Sequence, residues 1–390
     1  MVRFGATVRV LIDYRPALRN RTGVGEFVHH LVTALVNPHA EGGPGDDPIQ
    51  LTAFSSSWRH RLIDAPPPKL PASVNTIDRR IPVRLLNLAW HRAGWPTVEL
   101  LTGNNYEVVH SPHPLLMPSR SAARVITIHD LDFLDHPYRA TGEIRRDYPA
   151  LVRRHAQCAD HIVVPSRYTA KEVERRLDIP SEVISVCRNG APSWEARHHV
   201  PRPGHLLFVG TLLPRKNLDG LLAAYEHILT THPNIPDLVL AGSKVNDELH
   251  RHLLGRRLLD GRVHCTGYVN GDKLKTLYAE ARLLVLPSFD EGFGLPVLEA
   301  MTVGVPVVAA NRGALPEVLG DAGLLVDPRS TDELVTAIMR VLSDDSFAAA
   351  CATRGIARAR MFSWDTSAQT LLAAYRQAVK TRDKMMRRSV

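Results

Sequence analysis

The chain has 390 residues, of which 44% are hydrophobic and 23% charged, and Lys plus Arg outnumber Asp plus Glu by 48 to 40. This length suggests two domains, each large enough for its own core. The net charge of +8 favours anionic partners, whether phosphorylated small molecules, nucleic acid or an anionic membrane surface, without choosing among them. Cys158, Cys187, Cys265 and Cys351 are widely spaced, with no CxxC pair and no histidine at zinc-ligand spacing. That excludes a disulfide framework and a structural zinc site, and it fits a reducing cytosol. The opening MVRFGATVRVLIDY has too short an apolar run for a signal peptide. No window approaches the roughly 18 apolar residues of a membrane-spanning helix.

The first predicted strand is VRVLIDY (8–14), followed by an amphipathic helix, VGEFVHHLVTALV (24–36). The strands IQLTAFSS, YEVVHSP, ARVITIHDL and HIVVPS come next, with helices over TGEIRRDYPALVRRHAQCAD and RYTAKEVERRL. The strands are continuous Val/Ile/Leu runs, as expected of parallel strands covered on both faces. PGDDP (44–48) and DAPPPKLP (64–71) read as surface loops. LLNLAWHRAGWPTVELL (85–101) has two readings, an interfacial amphipathic segment or a plain helix packed on the sheet. NGAPSWEARHHVPRPGH (189–205) has no clear period and reads as a linker between domains 1–195 and 203–361.

A second strand-helix series then begins with HLLFVGT and the helix NLDGLLAAYEHILTTHP, and continues through LVLAGSK, RVHCTGYV, ARLLVLPS, GVPVVAA and AGLLVDP. The fold class is α/β, with two doubly wound sheets. A last helix follows over about 362–380, with Lys380, Arg382, Lys384, Arg387 and Arg388 in a basic tail.

In an open parallel sheet, ligands bind beyond the carboxyl ends of the strands. Arg215 and Lys216 fall there, just before the helix opening at Asn217, which suits a phosphate group or a solvated basic loop. Glu291 and Glu299 stand on either side of Gly292-Phe293-Gly294 and Pro296 in SFDEGFGLPVLEAM, where they could grip the hydroxyls of a polar ligand or merely meet a helix dipole. In the first half, RTGVGEF (21–27) is a glycine loop opening a helix, and HSPHP and ITIHD end strands. His129 is a candidate site residue or a packed histidine, and the glycines do not spell a dinucleotide fingerprint.

In this order, FVGTLLPRKN, FDEGFGLPVLEA and GVPVVAANRGALPEVLGDAGLLVDP resemble the diphosphate-binding segment, the E-x7-E signature and its continuation in retaining glycosyltransferases of the GT-B fold, family 4 or group 1. The resemblance covers essentially the whole chain. It implies two Rossmann-like domains facing across a cleft, with a nucleoside-diphosphate sugar held mainly on the C-terminal domain. Arg215 and Lys216 would neutralise the diphosphate, Gly210 would belong to the donor-binding residues, and no metal or cofactor is expected. DLD at 130–132 has the DxD spelling, but its Asp130 belongs to the HD pair.

Glu291 would contact the donor sugar near the reacting carbon, and Glu299 would hold the ribose. Backbone N–H groups around Phe293, Gly294 and Leu295 would reach sugar and phosphate, while Gly242, Tyr268 and Val269 would line the base. His129 would face the sugar, Gly23-Val24-Gly25 would close over the diphosphate, and the last helix would return to the N-terminal domain. Retention by a front-face route needs no enzyme nucleophile.

IDYRPALRNRTGVGEF resembles a branch rich in mannosyltransferases of cell-surface polysaccharides, so GDP-mannose is the favoured donor, ahead of UDP-glucose. The acceptor would be a saccharide, free or lipid-linked. The expected location is cytoplasmic, with weak attachment to an anionic membrane at its inner face. The rivals are a GT-B-fold nucleotide-sugar epimerase or hydrolase, and a non-catalytic glycan- or partner-binding protein. No motif supports nucleic-acid binding.

Overall fold

The computed structural model describes residues 7–18, 21, 23–36, 49–65, 68–137, 142–201, 204–242, 255–269 and 271–388, with only the backbone of 142–147 and 388. The loop 44–48 lies outside them, as do two positions of 64–71. The chain divides into two units, Met1–Gly190 with Ser363–Val390, and Ala191–Phe362.

In the first unit, β1 (Val8–Asp13), β2 (Ile49–Ser56), β3 (Asn75–Arg79), β4 (Val108–Ser111), β5 (Ala123–Thr127), β6 (His161–Val164) and β7 (Ile184–Val186) form one parallel sheet. Its order is β3-β2-β1-β4-β5-β6-β7. The second unit has β8 (His205–Val209), β9 (Leu238–Ala241), β10 (Val263–Gly267), β11 (Ala281–Leu286), β12 (Val307–Ala310) and β13 (Leu324–Val326), all parallel, in the order β10-β9-β8-β11-β12-β13. Both sheets grow outward in two directions from a central pair, so each has a topological switch point, between β1 and β4 and between β8 and β11.

Central strands such as β6 and β11 are buried along their whole length, which is why they are apolar runs in the sequence. The edge strands β3 and β10 are largely exposed. β3, with the polar sequence NTIDR, and the three-residue edge strand β7 carry no such run, and neither is expected from sequence.

The helix Trp364–Arg388 belongs to the first unit. Its Ala368, Leu371, Leu372 and Tyr375 join Val10, Ile12 and Phe27 in one core. The Tyr375 hydroxyl lies 2.8 Å from Nδ1 of buried His110, and the Trp364 ring stacks on His30 at 5.1 Å. The helix continues to Arg388, past the expected end near 380, and Arg382 donates to the Arg120 carbonyl at 3.1 Å. At least that residue of the basic tail is therefore anchored.

The expected linker is not a free connection. From Ala191 onward it packs on the second unit, with the Trp194 ring 5.7 Å from Tyr278 and the Arg197 N–H donating to the Val303 carbonyl at 3.0 Å. Prolines and the absent period hid this, because a single tryptophan and one arginine supply the anchors.

Segment 85–101 forms two helices, Val83–Ala93 and Val98–Thr102. Gly94, at φ +62°, ends the first, and Trp90 Nε1 donates to the Pro96 carbonyl at 2.8 Å. Leu86, Trp90 and Val98 are buried with Phe54, whereas Leu85, Leu88 and Trp95 are exposed beside Arg84 and Arg92. The segment therefore packs on the sheet and also presents an apolar outer face with flanking cations.

Burial pushes several first-unit histidines down, His110 to about 3 and His29, His129, His155 and His161 to about 4. Their unfolded value is about 6.5. Between these values the unfolded chain binds more protons, so the stability they contribute is present above about pH 6.5 and is lost as pH falls toward 4. Trp58, Trp90, Trp95 and Trp364 lie in the first unit and Trp194 in the second, so tryptophan fluorescence reports mainly the first. The urea midpoint of that signal is expected to fall steadily from pH 7 to pH 5. An unchanged midpoint would contradict the burial of these neutral imidazoles.

Candidate functional site

The candidate site is built at the β8/β11 switch point of the second unit. After β8 the chain makes a short 3-10 turn, Pro214–Lys216, and Asn217 at φ +54° starts the helix Leu218–Thr231. The Asn217 side-chain amide donates to the Pro328 carbonyl at 2.6 Å, which locks this left-handed cap. Lys216 is only 6% exposed, so the pair is not a solvated basic loop. The loop after β11 is clipped to this turn by the Phe289 N–H, which donates to the Arg215 carbonyl at 2.8 Å.

Glu291, also 6% exposed, places its carboxylate between the two cations. Lys216 Nζ bonds Oε1, and Arg215 Nη1 lies 3.3 Å from Oε2 and 3.0 Å from the Asp290 carbonyl. Burial alone would push the carboxyl up, but the charges of Lys216 and Arg215 more than offset it and hold the group below the usual carboxylate range. The Glu291 carbonyl accepts from the Ala314 N–H at 2.8 Å. Gly313, at φ +60°, permits that approach, since a Cβ there would lie 2.6 Å from the Glu291 carbonyl oxygen.

The glycine at the end of β9 is equally constrained: a Cβ on Gly242 would lie 1.7 Å from the Gly210 carbonyl oxygen. Gly210 in turn lies against the Lys216 side chain. Tyr268 and Val269 follow the carboxyl end of β10, with Tyr268 40% exposed. The helix Leu295–Val303 is entered through Gly294 at φ +105°, with Pro296 in its first turn, where a missing N–H costs little. The Phe293 side chain is buried against Phe362 at 5.9 Å, so its backbone rather than its ring is placed for a ligand.

Glu299 lies one turn into that helix and is half-buried. Its Oε2 accepts from the hydroxyl of fully buried Tyr278 at 2.7 Å. Tyr278 is absent from the sequence expectations. Its place on the helix Gly271–Glu280 marks it as an inward-facing aromatic, and nothing local shows that its hydroxyl meets a carboxylate 21 positions away.

In the first unit, His129 follows β5 and donates from Nε2 to the Pro112 carbonyl at 3.2 Å, while its ring sits edge-on to Phe27 at 5.0 Å. Being pushed down to about 4, it is a neutral imidazole at pH 7. Gly23-Val24-Gly25 is not a loop. These residues form the first turn of the helix Gly23–Val36, and a Cβ on Gly25 would lie 2.8 Å from the Pro16 carbonyl oxygen. Gly25 thus reflects close packing of a helix on the turn Arg15–Ala17, whereas a Cβ on Gly23 would meet open space.

The β1/β4 switch point holds a second group that sequence reading missed. Buried Asp13 ends β1 and pairs with Arg15 Nη2 at 2.6 Å, and His113 Nε2 lies 3.3 Å from the same carboxylate oxygen. An acid ending a strand at a switch point, with Arg two positions on, was the available signal. Asp132 of DLD is hydrogen-bonded to His136 at 2.9 Å. Among the described residues, no group of three or more His, Cys, Asp or Glu is arranged to hold a metal ion, and no helix is long and apolar enough to cross a membrane.

Residues 195–358 match the family model of glycosyl transferases group 1, and residues 22–193 match that of glycosyltransferase family 4. The chain is 34% identical over 288 residues to the O-antigen chain mannosyltransferase B of Escherichia coli, covering 69% of this chain and 74% of that one. It is 28% identical over 397 residues to a glycogen synthase of Mycobacterium tuberculosis, covering 91% and 92%. The solved sucrose-phosphate synthase of Thermosynechococcus elongatus shares the fold, with a TM-score of 0.74 at 21% identity over 95% of this chain and 98% of that one. The chain therefore belongs to the family 4, or group 1, glycosyltransferases, and its two parallel-sheet α/β units are those of the GT-B fold.

Proposed function

We propose that this glycosyltransferase works with retention and without a metal. It would move a hexosyl group, mannose in the favoured reading, from a nucleoside-diphosphate sugar such as GDP-mannose to a free or lipid-linked saccharide in cell-surface glycan synthesis. The observation that carries this reading is buried Lys216 beside half-buried Arg215 at the switch point, with Glu291 between the cations. The likeness to a protein named an O-antigen chain mannosyltransferase supports mannose. The likeness to a glycogen synthase shows why the family alone does not settle the sugar.

On this reading Arg215 and Lys216 neutralise the diphosphate, and their charge counts most as the leaving group gains its negative charge. The C1–O bond to phosphate breaks while the acceptor oxygen bonds C1 on the same face, and the acceptor proton passes to a phosphate oxygen. Glu291 then positions the sugar and supports positive charge at C1 without attacking it. Glu299, oriented by Tyr278, holds the ribose, while Gly242, Tyr268 and Val269 line the base. The backbone at Gly210, Phe293, Gly294 and Leu295 is assigned to sugar and phosphate. From the first unit, neutral His129 would bond a sugar hydroxyl and the Gly23–Gly25 turn would meet the diphosphate.

Weak attachment to an anionic membrane is part of the proposal. Exposed Leu85, Leu88 and Trp95, with Arg84 and Arg92 among them, match an apolar interface beneath negative headgroups. Flotation with phosphatidylserine-containing vesicles at moderate salt should carry the protein up, and Leu88→Glu should abolish this. A wild-type chain that stays at the bottom would sink the idea.

The donor reading is tested by screening nucleoside-diphosphate sugars for thermal stabilisation and then for transfer. Glu291→Ala should lower transfer by roughly two to three orders of magnitude, while Arg215→Ala or Lys216→Ala should weaken diphosphate binding about tenfold or more. Full activity in Glu291→Ala would refute its role. Tyr278→Phe should raise the donor KM about fivefold with little change in kcat, because it removes one orienting hydrogen bond to Glu299.

A further inference from the structure

Both cations of the site are already paired with an anion of the chain itself. Glu291 already bonds Lys216 and Arg215, and the side chains are 8%, 7% and 20% exposed. Water can screen this cluster only weakly. A diphosphate that takes its place on Lys216 while the carboxylate stayed would bring phosphate and carboxylate oxygens together in a low-dielectric pocket, where like charges repel strongly. The carboxylate and an incoming diphosphate therefore compete for Lys216.

The backbone of Glu291 is pinned by the Ala314 N–H and crowded by Gly313, so the departure is a side-chain rotation rather than a loop movement. The rotated carboxylate needs new hydrogen-bond donors, because a buried acceptor left unpaired is costly. A sugar attached to the diphosphate brings hydroxyl donors with it. A bare nucleoside diphosphate brings none to that position.

We infer that Glu291 is an internal competitor for the diphosphate seat, and that it makes the site discriminate a sugar-bearing diphosphate from the sugar-free product. Donor binding displaces the carboxylate from Lys216 and satisfies it with sugar hydroxyls. After transfer the sugar is gone, the carboxylate returns to Lys216, and the nucleoside diphosphate is expelled. Linkage makes this reciprocal: a change in the acid that weakens the pair while Lys216 stays in place tightens the bare diphosphate. The inference rests on the donor reading above and adds a second role to Glu291, distinct from its contact with the sugar.

The test is calorimetric titration of the full chain with GDP and GDP-mannose, and with UDP and UDP-glucose, for wild type, Glu291→Gln and Glu291→Asp. Glu291→Gln should bind the nucleoside diphosphate about tenfold or more tightly than wild type, a size typical of site-to-site coupling. Its affinity for the nucleotide sugar should gain much less, so the preference for the sugar-bearing ligand shrinks, and Glu291→Asp should fall between.

Unchanged or weaker nucleoside-diphosphate binding in a folded Glu291→Gln variant overturns the inference, as does an equal gain for both ligands. Either result leaves the donor reading intact. Absence of binding by any of these ligands to wild type and variants alike overturns the donor reading and this inference together. Should Glu291→Gln fail to fold, the melting temperature of Glu291→Asp with inorganic pyrophosphate decides. Its rise on adding pyrophosphate should exceed that of wild type, and an equal or smaller rise overturns the inference.

Discussion

The arrangement of the second unit turns on one buried contact, the ammonium of Lys216 against the carboxylate of Glu291, with the Arg215 guanidinium beside it. Removing two charges from water costs several kcal/mol each, and their attraction need not repay it. Such a pair is a poor choice if stability were the only requirement. Its surroundings are correspondingly exacting. Asn217 adopts a left-handed conformation held by its side chain, Gly313 admits the Glu291 backbone, and the Phe289 N–H ties the loop after β11 to the turn after β8. Several local constraints therefore agree in holding one carboxylate between two cations.

The two units share a strand order but not the chemistry at their switch points. The second concentrates fixed positive charge and the means to balance it. In the first, Asp13 is already neutralised by Arg15, and His110 and His129 are held neutral by burial. Neutral donors and acceptors suit a polyhydroxylated ligand, whereas buried cations suit a diphosphate. On the proposed donor reading, a division of labour would follow from what each sheet carries at its carboxyl edge, even though both use the same topology.

Much of this was legible in the sequence because central parallel strands must be apolar on both faces. ARLLVL and HIVV declare themselves, while NTIDR at an edge does not. Arg215 and Lys216 could be placed beyond a strand, and Glu291 beyond another. Their direct contact could not be read, because it joins positions 75 and 76 residues apart. Tyr278 was invisible for the same reason. The glycine at 25 misled in a different way: a small residue can serve a tight loop or a close helix approach, and here the Pro16 carbonyl requires the second. The segment at 189–205 looked like a linker because a mean composition conceals Trp194 and Arg197, which fasten it.

The pairing also bears on the proposal that the site works without a metal. A divalent ion can leave with the product and take its charge along. A lysine cannot leave, and an ammonium as buried as Lys216 is costly whenever the seat is empty. A site that relies on a fixed, buried ammonium therefore needs a resident anion. That anion must be able to yield to a diphosphate without deserting the pocket. A carboxylate on a pinned backbone, free to turn about its side-chain bonds, meets both requirements, whereas a neutral amide could turn aside but would leave the ammonium without a counter-charge. On the proposed reading, the acid at position 291 serves both the electrostatics of the buried ammonium and the donor sugar, and the two demands fall on the same residue because they arise at different moments of one cycle.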